Sequence, residues 1–422
     1  MEIMMEYSCE SYRKLSRRAL FAGAMGLCAT RALTQVAFRK DGEKDGRVLV
    51  FLFLRGGCDG LNTIVPYGDD AYHRLRPSLA LRKQDVLPLD DRFGMHPALR
   101  SLLPLYQEGD MVIVHAVGSQ DRSRSHFEAM SAIERGVAYA GEPVSNGWVA
   151  RYLAAKGGTQ DPLQALAFAP VLPDSLKGST GALALEDLKQ YRLAGGSEGR
   201  KRLHESLWRL YQQGDDWFSI AGRQTLKALE IVERLPDVAE VNRHGYPASD
   251  LGKALAQTAL LIESGVGLEV ACLEKGGWDT HVAQGATEGW HPSLLTDLAD
   301  SLAAFSNHLG KEMERVTVVV ATEFGRRAYE NAGLGTDHGR GSVLFVLGKG
   351  VAGGRIYGEW PGLEPEALEE PGDLRVTTDY RAVLSSVLAA RMGAEALLPE
   401  VFPGYSGERL AVTPETSPLR VR

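Results

Sequence analysis

The sequence predicts an α/β domain built on a doubly wound, mainly parallel sheet with helices on both faces. Short runs of apolar, often β-branched residues recur along the chain, and helical patterns separate them. These runs lack the alternation of a half-exposed strand, as expected when helices cover both faces of the sheet. Strands that alternate with helices favour parallel pairing.

The individual elements follow from these patterns. Apolar runs predict strands at 48–54, 111–117, 268–273, 316–321 and 343–347. Apolar residues spaced by three and four predict helices at 97–108, 125–136, 291–313 and 379–392. The stretch 185–262 is long, charged and helical without a strand run, and we interpret it as a helical insertion.

The first 37 residues have the layout of a twin-arginine export signal. Arg17 and Arg18 precede an apolar stretch, 22–30, that is too short to span a bilayer. We therefore predict a signal peptide at 1–37 and a single domain at 38–422, exported by the twin-arginine translocase to the periplasm or the cell exterior. No later stretch is apolar over the roughly 20 residues of a spanning helix, so we predict no permanent membrane span.

Charge and cysteine content exclude two classes of protein. The chain of 422 residues has a net charge of −7, and removal of residues 1–37, which carry a net charge of +2, leaves −9. An acidic chain is a poor nucleic-acid binder, because phosphate neutralisation needs a basic surface. Beyond residue 37 only Cys58 and Cys272 remain, too few for a disulfide framework, and we predict that both are small buried residues.

Polar, glycine-rich segments follow the predicted strands, where open parallel sheets collect functional groups. These segments are 55–62, 118–128, 275–281, 322–327 and 335–341. They supply the candidate metal ligands Asp59, Ser125, Asp279, His281, Glu323 and His338. Mixed carboxylates and imidazoles suit a divalent cation, which offsets repulsion between the acids and activates a bound water or hydroxyl.

Ser125, Asp59 and Asp279 also have structural interpretations. Ser125 opens a predicted helix, where the dipole favours an anion, but it could be only an N-cap in a capping box with Glu128. Asp59 could shape its turn through a side-chain oxygen, and Asp279 could form an Asx turn.

Other polar residues have structural interpretations as well. Glu323 could pair with Arg326 or Arg327 rather than bind a metal. We predict that His96 caps a helix and that His115 lies inside a strand, so neither is assigned to the site.

At these segments the chain resembles DUF1501, an exported bacterial family of unknown function related to the alkaline phosphatase and sulfatase superfamily. The likeness covers about residues 45–400 and is carried by RGGCDGLN, RSRSHFEA, GGWDTH, TEFGR and GTDHGRG. The resemblance implies an alkaline phosphatase-like fold and two metals. Around the first metal it implies Asp59, Ser125 and Glu323, and around the second Asp279, His281 and His338. It also implies that the Ser125 hydroxyl attacks phosphorus or sulfur.

Two departures from the superfamily pattern affect the predicted metals. Phe324 occupies a position where the superfamily usually has a histidine ligand, and the spacing from Asp279 to His281 is shorter than usual. Either His126 or Asp337 replaces the missing ligand, or the second metal is weak or absent.

We therefore predict an exported metal-dependent hydrolase that acts on an anionic small-molecule or polymer ester of phosphoric or sulfuric acid. One or two divalent ions, zinc, manganese or calcium, serve as cofactors, and Ser125 or a metal-activated water is the nucleophile. Arg55, Arg124 and Arg326 are predicted to hold the substrate oxygens, since guanidinium groups match such anions.

Two alternative functions remain open from the sequence. Ser125, Asp279 and His338 occur in the chain order of a serine hydrolase triad, although the Gly-x-Ser-x-Gly elbow is missing. The other alternative is an exported scaffold or assembly protein that keeps the fold without catalysis.

Overall fold

The structure is a computed structural model that describes residues 46–157, 162–236 and 242–412. The predicted export signal at 1–37 lies outside the described residues. Within the described ranges, every helix is too short or too polar to cross a membrane.

A mixed, mainly parallel sheet forms the centre of the domain. The strands of the described residues are β1 (Val48–Leu54), β2 (Ile64–Val65), β3 (Leu87–Pro88), β4 (Gly94–Met95), β5 (Met111–Gly118), β6 (Ala165–Phe168), β7 (Ala182–Leu185), β8 (Val270–Lys275), β9 (Val316–Thr322), β10 (Ser342–Leu347), β11 (Ile356–Tyr357) and β12 (Thr378–Asp379). The central order is β11-β5-β10-β9-β1-β8-β6-β7, with β12 beside β5, while β2, β4 and β3 form a small separate sheet.

Helices cover the sheet on both sides. The α-helices of the described residues are α1 (Gly60–Thr63), α2 (Asp70–Leu75), α3 (Leu103–Gln107), α4 (His126–Arg135), α5 (Trp148–Ala155), α6 (Ser197–Gln212), α7 (Trp217–Arg234), α8 (Asp250–Glu263), α9 (Trp290–Leu309), α10 (Tyr380–Met392) and α11 (Leu398–Val401). Alternate residues of β1 face opposite layers: Val50 packs in the core with α8 and α9, and Phe51 packs with α5 and α10. Both faces of the sheet are therefore buried, which confirms the predicted α/β class and explains the uninterrupted apolar runs.

Strand direction determines which loops meet at one edge. β1, β8 and β9 pair in parallel, whereas β10 runs antiparallel to its neighbours β9 and β5. The segments that leave β1, β8 and β9 therefore lie at the same edge as segment 335–341, which enters β10. All the predicted site segments are collected at this carboxyl edge.

The predicted strands and helices are confirmed, with residues 97–102 in 3₁₀ conformation, and four additional strands, β6, β7, β11 and β12, extend the sheet. β6 and β7 were not predicted, and both are alanine-rich. The described part of the stretch 185–262 contains α6, α7 and α8. α8 buries residues such as Leu255 and Leu261 against the core, whereas α6 has no buried residue among those described.

Cys58 and Cys272 are buried free thiols, as predicted. Burial raises the pKa of each thiol to about 12, so both stay protonated and act as small apolar side chains.

Candidate metal centre

A cluster of metal-binding side chains lies at the carboxyl edge of the sheet. His126 opens α4, Asp279 follows β8, and His338 lies just before β10. One ligand atom from each of these residues lies within 4.8 Å of the other two. The prediction that segments distant in sequence meet at one edge of the sheet is confirmed for His126, Asp279 and His338.

Three imidazoles converge on one carboxylate oxygen. The distances from Asp279 Oδ1 to Nε2 of His126, His281 and His338 are 3.4, 3.0 and 3.0 Å. The Nε2 atoms of His281 and His338 are 2.9 Å apart. Ligands on a tetrahedral ion with bonds of about 2.0–2.1 Å are separated by about 3.3 Å, so this spacing suits a divalent metal such as zinc.

The opposite nitrogen of each imidazole faces an acceptor oxygen. The pairs are His126 Nδ1 with Glu323 Oε1 at 2.7 Å, His281 Nδ1 with Asp337 Oδ1 at 3.2 Å, and His338 Nδ1 with the Arg124 carbonyl at 2.9 Å. An Nδ1–H that donates to an oxygen leaves the lone pair on Nε2, and this arrangement orients metal-binding histidines. Each of the three imidazoles thus carries its Nε2 lone pair on the side of Asp279 Oδ1.

His126 provides a direct test of whether a metal fits. Its Nε2 atom is buried and has no hydrogen-bond partner within the described part of the chain. A buried polar atom without a partner is costly, and coordination to a cation would remove that cost. The donor set of His126, His338 and Asp279 therefore fits a divalent ion.

Arg326 holds Asp279 in its ionised form. The buried guanidinium donates to Asp279 Oδ1 at 2.7 Å and to the carbonyls of Gly57, Trp278 and Thr336. Burial alone would raise the pKa of Asp279, but the hydrogen bond and charge of Arg326 outweigh it and lower the pKa to about 2. Asp279 is thus a permanent anion at neutral pH.

The environments of two histidines differ in their effect on protonation. The hydrogen bond with Glu323 raises the pKa of His126, whereas burial lowers the pKa of His338. In the absence of a cation, His126 is therefore the more easily protonated of the two.

Phe324 packs among the histidines instead of binding a metal. Its ring centroid lies 4.9 Å from that of His126 and 5.1 Å from that of His338. Of the two residues proposed to replace the missing ligand, His126 lies in the cluster and Asp337 contacts His281.

Glu323 contacts an imidazole and not the centre of the cluster. Its Oε1 accepts from His126 and from the Gly56 N–H at 2.8 Å, and its Oε2 accepts from the Thr322 hydroxyl at 2.9 Å. Glu323 thus orients His126 and lies outside the triad of His126, Asp279 and His338, and its role as a metal ligand stays a prediction. The alternative pairing of Glu323 with Arg326 is also not formed, because that guanidinium contacts Asp279 and main-chain carbonyls.

Asp59, a predicted metal ligand, lies in a separate buried network. Arg76 donates to both of its carboxylate oxygens, at 2.6 and 3.0 Å, and Gln284 Nε2 donates at 2.6 Å. Burial opposes ionisation, but Arg76 outweighs it and the pKa of Asp59 lies below its ordinary value. The carboxylate is fully engaged by these donors, and its side chain makes no capping bond to α1 in the described chain.

Gln284 connects this network to the rear of the cluster. Its Oε1 accepts from the hydroxyls of Thr280 and Thr336 at 2.9 and 2.7 Å. These threonines adjoin His281 and Asp337 in sequence. Asp59 therefore supports the cluster indirectly, through buried hydrogen bonds.

Ser125 lies between two residues that contact the cluster. The Arg124 carbonyl faces His338, and His126 contributes to the triad. Ser125 precedes α4, but its side chain makes no capping hydrogen bond among the described residues, so the capping-box interpretation with Glu128 is wrong. The hydroxyl is not held by the helix that it precedes.

The predicted serine hydrolase triad is not formed in this arrangement. His338 Nδ1 faces the Arg124 carbonyl and His338 Nε2 faces Asp279, so both ring nitrogens already have partners other than Ser125. A triad requires one of these nitrogens to accept from the serine hydroxyl.

The three arginines predicted to hold substrate oxygens all have protein partners. Their partners are Glu134 and Glu274 for Arg55, Asp373 and the Glu370 carbonyl for Arg124, and Asp279 with main-chain carbonyls for Arg326. In the structure these guanidinium groups contact protein carboxylates, and their role with substrate oxygens stays a prediction.

The two histidines predicted to be structural are confirmed in those roles. His96 Nδ1 accepts from the Ala98 N–H at 3.0 Å at the start of a 3₁₀ helix. His115 lies in β5, its Nε2 faces the Ile64 carbonyl at 3.0 Å, and burial lowers its pKa to about 4.

Comparison with known proteins gives a family without an assigned activity. The family described as "Protein of unknown function (DUF1501)" matches residues 47–382. No curated protein matches the chain.

Proposed function

Since the chain belongs to the DUF1501 family of proteins of unknown function, we propose a function from the site itself: an exported, metal-dependent hydrolase of phosphoric or sulfuric esters. One observation carries the proposal, the triad formed by two oriented imidazoles, His126 and His338, and the ionised Asp279. We include in the proposal a relationship to the alkaline phosphatase and sulfatase superfamily.

The roles of the residues follow from their contacts. His126, His338 and Asp279 would hold one divalent ion, which would supply a Lewis acid to activate a nucleophile and to stabilise charge on the transferred group. His281 contacts both His338 and Asp279. Arg326 keeps Asp279 ionised through its hydrogen bond. Ser125 is the proposed nucleophile, because it precedes α4, is free of capping and lies between residues of the cluster.

Metal content tests the ligand assignment. Elemental analysis of the purified full chain is expected to find one tightly held divalent ion in the wild type and almost none in Asp279→Ala or His338→Ala. His73→Ala is the control, because that imidazole faces the Tyr67 carbonyl outside the cluster. Equal metal content in all four proteins would remove the assignment.

Turnover tests the proposed chemistry. A panel of phosphate and sulfate esters is expected to include substrates whose hydrolysis stops on treatment with a chelator. Ser125→Ala is expected to lower kcat by at least about 10³-fold, as removal of a nucleophile does, whereas Ser145→Ala on the surface leaves it unchanged. Tight metal binding without turnover would instead support the scaffold alternative.

Export is the remaining part of the proposal and rests on Arg17 and Arg18. Fractionation of bacteria that express the full chain is expected to place it outside the cytoplasm. Replacement of both arginines by lysine is expected to retain it in the cytoplasm, while Arg31→Lys has no effect. Export of the double variant would contradict the twin-arginine route.

A further inference from the structure

A groove of about 370 Å³ opens beside the metal cluster. We call it the α4 groove, because Phe127, Met130 and Glu134 of α4 line one of its sides. Val171 and Leu172 line the opposite side, and Arg55 and Glu274 also contribute.

The α4 groove is continuous with the cluster along two chain segments. His126, Met130 and Glu134 lie on one side of α4 at intervals of four residues, so the row extends about 12 Å from the cluster. Arg55 is followed by Gly56, whose N–H donates to Glu323 beside His126. A substrate bound at the cluster could therefore extend directly into the groove.

The rim of the α4 groove exposes large apolar side chains. Phe127 is 85% exposed and Val171 is 71% exposed, although both belong to ordered elements around a candidate site. Clustered apolar side chains on a surface indicate a binding site more often than a random feature. The rim thus favours a ligand with an apolar or aromatic body.

Glu274 and Asp174 provide most of the negative charge of the α4 groove, because burial raises the pKa of Glu134 to about 7. Arg55 is held by Glu134 at 3.1 Å and by Glu274 at 2.5 Å, so two carboxylates surround one guanidinium. Asp174 adds a third carboxylate, whose partner Lys177 lies 3.8 Å away. Charge complementarity therefore disfavours an anion here and favours a cationic group.

We propose that the α4 groove binds the organic part of the substrate, an apolar or aromatic alcohol that carries an ammonium group. This inference rests on the proposed hydrolase function, in which the cluster takes the phosphate or sulfate of the same ester. The aromatic ring of Phe127 and the acidic residues then recognise the apolar body and the cation of one ligand.

Binding of fragments tests the groove without any turnover. We would titrate the metal-free full chain with phenethylamine, 2-phenylethanol and phenylacetate, which share a phenyl ring and differ in charge. Isothermal titration calorimetry is expected to rank phenethylamine first, about fivefold tighter than 2-phenylethanol, with phenylacetate weakest. Equal affinities, a preference for phenylacetate or no binding at all would overturn the proposal.

Two variants locate the fragment and separate its two contacts. Phe127→Ala is expected to weaken both phenethylamine and 2-phenylethanol, because the apolar wall is lost. Glu274→Gln is expected to reduce the preference for phenethylamine and to leave 2-phenylethanol unchanged. Leu210→Ala, an exposed apolar residue on α6, is the control and should bind like the wild type.

The results distinguish this proposal from the hydrolase function. Unchanged binding in Phe127→Ala would place the fragment elsewhere and overturn the groove assignment, whatever the enzyme hydrolyses. Fragment binding with the expected charge order, in a chain that hydrolyses no ester, would support the groove and count only against the hydrolase.

Discussion

Two groups of charged side chains lie at the same edge of the sheet and differ in what surrounds them. Around Asp59, Arg76 and Gln284 supply donors to both carboxylate oxygens in a fully buried network. Around Asp279, whose side chain is 48% exposed, three imidazoles meet a single oxygen and one buried nitrogen lacks a partner. The first group is complete with protein atoms alone, and we propose that a cation completes the second.

This difference shows how to separate a structural acid from a metal ligand. A carboxylate in a glycine-rich turn after a strand is compatible with both roles, and Asp59 and Asp279 both have that setting. Their partners distinguish the two carboxylates. Arg76 and Gln284 engage both oxygens of Asp59 in a fully buried network. Asp279 also contacts a buried guanidinium, that of Arg326, but its Oδ1 faces three imidazole nitrogens as well. Variants that disturb one group and spare the other test whether the two groups have different roles.

The largest effect is expected from the buried pair. Arg76→Leu leaves the Asp59 charge buried without a partner, and we expect the free energy of unfolding to fall by about 3–5 kcal/mol. Urea denaturation measures this change. Arg74→Leu is the control, because its ion pair with Glu364 is exposed, and it should stay near wild-type stability. Equal stability of the two variants would contradict a structural role for the pair.

The next effect concerns metal-dependent stability. Zinc at 100 times its dissociation constant should raise the free energy of unfolding of the metal-stripped protein by about 2.7 kcal/mol, because the ion binds only the folded state. Thermal or urea denaturation with and without zinc gives the value. Asp279→Ala should gain little from zinc, and a full gain in that variant would show that the ion binds elsewhere.

A smaller effect is expected from the residue that orients His126. Glu323→Ala removes the acceptor of Nδ1–H, and we expect metal affinity to fall by about 10- to 100-fold. Competition with a chromophoric chelator measures the affinity. Glu364→Ala, at an exposed position, is the control. An unchanged affinity in Glu323→Ala would show that His126 needs no orientation.

The smallest expected effect is the pH dependence that Asp279 gives to the free energy of unfolding of the metal-free protein. The pKa of Asp279 is about 2 in the folded chain, below the value of about 3.9 in an unfolded chain. Ionisation of Asp279 therefore stabilises the fold above pH 4, and this contribution is lost as the pH falls towards 2. Because the side chain is half exposed, we expect less than about 1 kcal/mol. The difference in unfolding free energy between wild type and Asp279→Asn should shrink between pH 6 and pH 3.5. A difference that grows on acidification would contradict the depressed pKa.

Much of the fold could be predicted because the central strands are apolar on both faces. β1 and β9 match the predicted runs within one residue. β6 and β7 escaped prediction because Ala-Leu-Ala sequences have weak strand propensity and also suit helices. The burial of α8 in the core was not predicted, because α8 belongs to the stretch 185–262, which is rich in charged residues.

The location of the site could be predicted from the sequence, but the contacts between its side chains could not. Segments at the ends of strands had to meet at one edge, and Asp279, His281 and His338 do meet there. The partner of Asp59 could not be foreseen, because Arg76 lies at the end of a short helix and reaches the carboxylate only in the folded chain. His126 had a sequence signal as the imidazole that begins α4, but the sequence could not show that Glu323 would orient it.

The most direct test is an anomalous diffraction map of zinc-loaded crystals, recorded at the zinc absorption edge. We expect one peak at about 2.0–2.2 Å from Nε2 of His126 and His338 and from a carboxylate oxygen of Asp279. A peak at Asp59, or no peak among these imidazoles in crystals of the zinc-loaded protein, would contradict the account.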